Sequence, residues 1–176
     1  MIPVFCLLIY FYSLEREWLR WAALGVYALA AVSDFLDGYI ARHWNQRTEL
    51  GARLDPLADK LIINLGFVFL AANLEFQEHV PMWFPVVILG RDAVIVMGSY
   101  LLHEFIAPLR QVKPRMLGKF STATQMAAMI GALIQVHFLD WLIALALLFT
   151  ALSFVDYVYV KTRDAFRQRA ADVQQS

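Results

Sequence analysis

Four aspartates, Asp34, Asp37, Asp55 and Asp59, stand within 28 residues of one another in the stretch SDFLDGYIARHWNQRTELGARLDPLADK (33–60). On a helix, Asp34, Asp37 and Ala41 are spaced three and four apart and share one face; Asp55 and Asp59, four apart, share a face on the next. The polar RHWNQRTEL between them can turn the chain, so that two antiparallel helices bring the carboxylates together. Crowded carboxylates repel one another and resist ionisation. A divalent cation removes that conflict: carboxylate oxygens suit hard ions such as Mg²⁺ or Mn²⁺, and such a set can hold two ions as a clamp for phosphoryl chemistry. Gly38, directly after Asp37, leaves room for a ligand to approach the backbone. Helix capping is the plainer account, because Asp55 before Pro56 reads as an N-cap with proline at the first helical position. It explains one aspartate and leaves three. Asp34 and Asp37 lie at the end of an apolar run, where the helix dipole disfavours negative charge.

The elements that must position these residues are apolar. With 60% hydrophobic, 14% aromatic and 17% charged residues, the 176-residue chain is too apolar for an ordinary soluble domain. Its apolar segments fall at 2–13, 18–33, 55–73, 82–103, 119–138 and 141–160, several near the ~20 residues a helix needs to cross a bilayer. The expected fold is an all-α integral membrane protein of six transmembrane helices, in one domain spanning 1–176 with a basic tail at 161–176. The first span reads as truncated: MIPVFCLLIYFY begins as if inside a helix and lacks the positive region and cleavage site of a signal peptide. Cys6 is the only cysteine, which excludes a disulfide framework, and His43, His79, His103 and His137 form no pair at ligand spacing.

Lysine and arginine fix the expected orientation. Arg42, Arg47, Arg53 and Lys60 flank the second connection, Arg110, Lys113, Arg115 and Lys119 the fourth, and Lys161, Arg163, Arg167 and Arg169 the tail. The third and fifth connections, NLEFQEHVP and HFLDW, have none, and Arg16 and Arg20 beside Glu15 and Glu17 are a minor exception in the first. By the positive-inside rule the aspartates and the C-terminus face the cytoplasm, or the matrix of an organelle.

The pattern D-x-x-D-G-x-x-A-R, eight residues, G-x-x-x-D-x-x-x-D, complete at Asp34, Asp37, Gly38, Ala41, Arg42, Gly51, Asp55 and Asp59, resembles the signature of the CDP-alcohol phosphatidyltransferases. LDPLADK and GKFSTATQM look like that family's phosphatidylglycerophosphate synthase branch. The resemblance implies transfer of a phosphatidyl group from CDP-diacylglycerol to glycerol 3-phosphate with release of CMP, in phospholipid biosynthesis. It implies Asp34, Asp37 and Asp55 as ligands of two Mg²⁺ or Mn²⁺ ions, and Asp59 as the base for the acceptor hydroxyl while also close to a metal. The CDP moiety would meet Asp34, Gly38, Ala41, Arg42 and Gly51, the last also allowing close packing of the two helices. A homodimer among membrane lipids is implied, in a bacterial or mitochondrial inner membrane, with no nucleic-acid partner.

For the acceptor phosphate the resemblance favours Arg91 and Lys119, with Lys113 and Arg115 beside them. Arg91 falls near the middle of the fourth span, where a charge needs a partner or a water-filled cavity, and an internal pair with Asp92 is the plainer reading. Lys113 and Arg115 are otherwise ordinary positive-inside residues. The chain departs from the family pattern in two respects. It lacks the amphipathic helix and N-x-L-T-x-x-R segment that precede the proline corresponding to Pro3, and GRDAV and VKPRMLGK lean toward cardiolipin synthases of CDP-alcohol type, whose acceptor is phosphatidylglycerol. A third reading, a non-catalytic membrane protein that binds or conducts a divalent cation, calls for carboxylates at depth in several spans; beyond the motif there are only Arg91, Asp92 and Asp156.

Overall fold

The computed structural model describes residues 1–43, 49–105 and 116–175. Over these residues the chain is helical and without strands: α1 (Ile2–Tyr10), α2 (Glu17–His43), α3 (Glu49–Ala72), α4 (Trp83–Phe105), α5 (Met116–Ile134) and α6 (Leu139–Gln175), with a 3-10 turn at Leu14–Arg16.

Several boundaries differ from the apolar segments. α1 has nine residues, a rise of about 14 Å, under half of a ~30 Å hydrocarbon core. α3 begins at Glu49, six residues before Asp55. ELGAR is built of helix formers apart from Gly51, and they carry the helix upstream. Asp55 is therefore inside the helix and not its N-cap, and Pro56 interrupts an interior bond instead of opening the first turn. α6 continues for 37 residues through the basic tail, because KTRDAFRQRAADVQQ has neither glycine nor proline to stop it. Among the described residues one helix, α6 over Leu139–Val160, is by itself long and apolar enough to cross a membrane; the apolar part of α3, Lys60–Ala72, is shorter.

The helices pack as a closed circuit. α1 lies against α2 and α3; α5 against α2, α3 and α6; α4 against α3 and α6. Phe5 of α1 packs on Tyr27 of α2 with ring centroids 5.5 Å apart, and Phe67 of α3 meets Phe84 of α4 edge to face at 4.8 Å. The core around them includes Ile9, Ile63, Ile88, Met129 and Leu133. The closest approach is at Gly66, where an added Cβ would stand 2.7 Å from both Phe5 Cε1 and Met129 Cε.

Three connections gather at one end. Asn73, after α3, donates to the carbonyls of Ile9 at 2.7 Å and Tyr12 at 3.1 Å, Tyr12 stacks on Phe76 at 4.3 Å, and His137 meets Glu78 at 3.0 Å. Trp18, Trp21, Trp83 and Trp141 are exposed at the same end, where α2, α4 and α6 begin. Exposed tryptophans at one level are what a membrane interface selects, and the exposed leucines, valines and methionines between the ends are a surface that water would not tolerate at this extent. The C-terminal part of α2 and the N-terminal part of α3, which carry the aspartates, lie toward the opposite end.

α5 ends in a Schellman turn. Gln135 has φ 60°, its N–H bonds to Ala132 O at 3.3 Å, and Val136 N–H bonds to Gly131 O at 3.0 Å. Glycine usually fills that position; here a glutamine does, and its Nε2 is buried with no acceptor. Gln135→Gly removes both the left-handed strain and the orphaned amide, and is expected to raise stability by about 1 kcal/mol, read as a higher midpoint of thermal unfolding in detergent.

Candidate functional site

The backbone places the acidic motif on two helices. Asp34, Asp37, Gly38, Ala41 and Arg42 lie on α2, and Gly51, Asp55 and Asp59 on α3, so each aspartate pair sits about one turn apart on a continuous helix. Their side chains lie outside what the structure describes, as do Lys113 and Arg115 altogether. α2 and α3 are bridged on one flank by α1 and on another by α5, both of which touch the two acidic helices. The donor set is all carboxylate, and with Asp55 in a helix interior its presence is not a capping requirement; the residues fit a hard divalent cation.

One residue beyond Asp59, a buried polar cluster joins α3, α4 and α6. Lys60 Nζ donates to Asp92 Oδ1 at 2.7 Å, and Arg91 Nη1 donates to the same oxygen at 2.6 Å. Asn64 Nδ2 reaches Asp92 Oδ2 at 3.4 Å. Arg91 Nη2 donates to Ser153 Oγ on α6 at 2.6 Å, while its Nε is buried with no acceptor. The side chains of Arg91 and Asp92 are 13% and 11% exposed, so the charges are well withdrawn from the surface. Successive residues on a helix diverge by about 100°, so the arginine has to fold back to reach its neighbour. The internal Arg–Asp pair is thus formed, and Lys60 joins it. Lys119, on α5, is exposed, next to Gly118, whose added Cβ would lie 3.8 Å from Ser153 Oγ.

A second polar seam runs between α5 and α6. Ser121 and Thr150 hydroxyls are 3.0 Å apart, and Gln125 Nε2 donates to Thr150 Oγ1 at 3.0 Å. Tyr157 of α6 donates to the Ile95 carbonyl of α4 at 3.2 Å. Reading the sequence for charges alone misses Asn64, Ser153, Ser121, Gln125 and Thr150 as tertiary ties, and counts Lys60 only toward orientation. Their signal is there: Lys60/Asn64 and Ser121/Gln125 are four apart and Thr150/Ser153 three apart, each pair on one face of an apolar helix.

Between α4 and α6 opens an apolar groove of about 430 Å³, walled by Val87, Gly90 and Val94 on one side and Leu147, Ala151 and Phe154 on the other. Arg91 and Thr150 also line it.

Removing Asp92 leaves the largely buried Arg91 without its counter-charge, beside a Lys60 that is about one third exposed. Asp92→Ala is expected to cost about 3–5 kcal/mol, and Ser153→Ala, which removes one neutral acceptor from Arg91, nearer 1–3 kcal/mol. Thermal unfolding of the two variants side by side checks the order; equal midpoints would contradict it.

The profile of the family described as CDP-alcohol phosphatidyltransferase matches residues 1–152. A CDP-diacylglycerol–glycerol-3-phosphate 3-phosphatidyltransferase of Pseudomonas fluorescens is 39% identical over 137 residues, 74% of this chain and 64% of that protein. The protein of the same name from Shigella flexneri serotype 5b is 32% identical, over 86% of this chain and 80% of its own length. A human cardiolipin synthase (CMP-forming) is 33% identical over 63% of this chain and 40% of that protein. The chain therefore spans less than two thirds of the Pseudomonas and human relatives.

Proposed function

Because the chain belongs to the CDP-alcohol phosphatidyltransferase family, we propose that it transfers the phosphatidyl group of CDP-diacylglycerol to glycerol 3-phosphate and releases CMP. The complete aspartate pattern, carried in two one-turn pairs on α2 and α3, is the observation that supports this most. The names of the Pseudomonas and Shigella relatives point to the same acceptor.

Asp34, Asp37 and Asp55, with Asp59 close by, would hold one or two Mg²⁺ or Mn²⁺ ions, which when bound neutralise diphosphate charge. Arg42, one turn beyond Gly38 in sequence, would face the same diphosphate, and Gly38 and Ala41 would leave room for the cytidine. Asp59 takes the proton of the acceptor hydroxyl as its oxygen bonds to the phosphorus that bears diacylglycerol. The bond from that phosphorus to the bridging oxygen breaks, and CMP departs with the electron pair. The bundle would sit as six membrane-embedded helices, the tryptophan end outside and the aspartate end on the cytoplasmic side of a bacterial inner membrane, as a homodimer. α2 to α5 have 27, 24, 23 and 19 residues, or about 28–40 Å, enough to reach across once their polar groups pair internally.

A second reading has phosphatidylglycerol as acceptor, as in cardiolipin synthases. It is favoured by the state of Arg91, which is already engaged by Asp92 and Ser153 and lies in the wall of an apolar groove. A small dianion gains nothing from such a wall, whereas a lipid does.

Two measurements test these readings. Purified protein should lose CMP release on addition of EDTA and regain it with Mg²⁺ or Mn²⁺; Asp34→Ala, Asp37→Ala and Asp55→Ala should each lose turnover, and Asp59→Asn should lose turnover by about 10²-fold or more while still binding CDP-diacylglycerol. Full turnover in metal-free buffer would sink the metal assignment. For the acceptor, glycerol 3-phosphate and phosphatidylglycerol are offered together and the lipid product identified. Phosphatidylglycerophosphate is expected, with Arg91→Ala raising the KM for glycerol 3-phosphate more than that for CDP-diacylglycerol; cardiolipin alone would replace the first reading by the second.

A further inference from the structure

Asp92 holds α3 at two points with one carboxylate. Its Oδ1 accepts from Lys60 Nζ at 2.7 Å and its Oδ2 from Asn64 Nδ2 at 3.4 Å, and Lys60 and Asn64, four residues apart, share one face of α3. A single contact lets a helix swivel and slide about it, whereas two contacts one turn apart, on the two oxygens of one rigid group, oppose both motions. The clip is itself anchored: Arg91 donates to Oδ1 at 2.6 Å and to Ser153 Oγ of α6 at 2.6 Å. Asp92 and Asn64 are both buried, so water competes little for either.

The angle fixed at Lys60 fixes the acidic face. At about 100° per residue, Asp59 stands about 100° and Asp55 about 140° behind Lys60 around the axis, so holding one side of α3 on α4 sets where the other side faces. At the ~5–6 Å radius that side chains reach, a turn of about 20° displaces a side-chain end by about 2 Å, as long as a whole Mg²⁺–oxygen bond. Some contact has to resist that turn, since crowded carboxylates repel one another until a cation arrives.

We infer that Asp92 is a positioning residue of the acidic site: by gripping Lys60 and Asn64 it sets the rotation of α3 and holds Asp55 and Asp59 at the register in which they meet a divalent cation together with the aspartates of α2. The inference rests on the metal-dependent transfer proposed above and adds to it residues that set the metal site's geometry without touching the metal. Lys60 acts through where it ties α3 and not through its charge, and the two roles carry opposite signs. A positive charge beside a cation site repels the cation, so on charge alone its removal tightens binding. A tie that places the ligands weakens binding when it is cut.

Mn²⁺ binding to the full chain in a neutral detergent, followed by the fall of the free-Mn²⁺ electron paramagnetic resonance signal, tests this without turnover. Wild type is expected to bind and Asp55→Ala to lose binding, which identifies the site. Lys60→Met keeps the reach of the side chain and removes the tie; its Kd for Mn²⁺ should rise about tenfold or more, the scale on which losing a group that orients metal ligands acts. Lys60→Arg, which still reaches Asp92, should restore the wild-type value. Asn64→Leu changes no charge and should shift Kd in the same direction by a smaller factor, and it carries the test should Lys60→Met fold poorly. Gln125→Ala cuts a buried bond between α5 and α6 and supplies the control, with a lower thermal midpoint and an unchanged Kd. In the CMP-release assay Lys60→Met should lower kcat and leave the KM for glycerol 3-phosphate little changed, in contrast to Arg91→Ala. A Kd in Lys60→Met equal to or below that of wild type overturns the inference. So does a weakening in Gln125→Ala as large as in Lys60→Met, which makes general loosening of the bundle the cause, or a Lys60→Arg that binds no better than Lys60→Met. Mn²⁺ binding absent from wild type, or kept in Asp55→Ala, is a failure of the metal assignment itself and takes the inference with it.

Discussion

A charge on a helix whose outer surface faces hydrocarbon has to find its partner inside the bundle, and here Lys60, Asn64 and Arg91 all find the same one, the carboxylate of Asp92. The arrangement of the helices follows from it. Lys60 and Asn64 tie α3 to α4, and Arg91, held from one side by Asp92 and from the other by Ser153, ties α4 to α6. Because Lys60 directly follows Asp59, any rotation of α3 that turned the acidic face elsewhere would have to pull Lys60 off Asp92. Buried ionic groups contribute little net stability against an apolar replacement, and their best-attested use is to specify one register among several. In a bundle of mostly apolar helices, which could slide or turn at small cost, that specification is what the acidic motif needs.

The rest of the bundle adds closeness to that register. At Gly66 side chains of two neighbouring helices, Phe5 and Met129, fill the space a Cβ would take, and at Gly131 an added Cβ would stand 2.6 Å from Leu142 Cδ1, so in both places a neighbour's side chain occupies the room that glycine leaves. Between α5 and α6 short side chains reach across, and Ser121, Thr150 and Gln125 close a hydrogen-bonded seam. Small residues and neutral polar residues therefore act together: the first bring helices close, and the second fix their relative height.

How much of this the sequence carries depends on the range of the physics. The spacing of Asp34, Asp37, Asp55 and Asp59 is local, and a helical period is enough to pair them on shared faces; the helical backbone over both pairs agrees. The gathering of the first, third and fifth connections at one end follows from successive helices that run in alternate directions, which the order of apolar segments along the chain already implies. Helix ends were not legible. Aspartate followed by proline at Asp55 is a strong capping signal for the start of α3, but Glu49 through Arg53 already favour helix and override it. The helical continuation of α6 beyond 160 escaped because apolarity stops where the membrane would, while helix propensity does not. Asp92 was visible as a partner for Arg91 through adjacency; Lys60 and Ser153, 32 and 61 residues away from it, were not, because nothing in a single sequence records which distant polar residues meet.

The two flanks of the bundle differ in a way that bears on what kind of acceptor the fold can serve. α2 sits with α1 and α5, α4 with α6 and α3, and α3 and α5 stand between the two groups. A lipid donor has to enter the acidic end sideways, since its chains cannot leave the bilayer. A water-soluble acceptor arrives through the aqueous face and asks nothing of the second flank, which could then be packed solid. A lipid acceptor needs a lateral path of its own, separate from the donor's, because two diacyl lipids cannot occupy one entrance at the moment of transfer. On the α4–α6 flank the bundle leaves an apolar trough open, with Gly90 and Val87 on one wall and Leu147 and Ala151 on the other. Solid packing is thus not what this flank shows, and the two readings of the acceptor differ on what such an opening is for, while the aspartate motif is common to both.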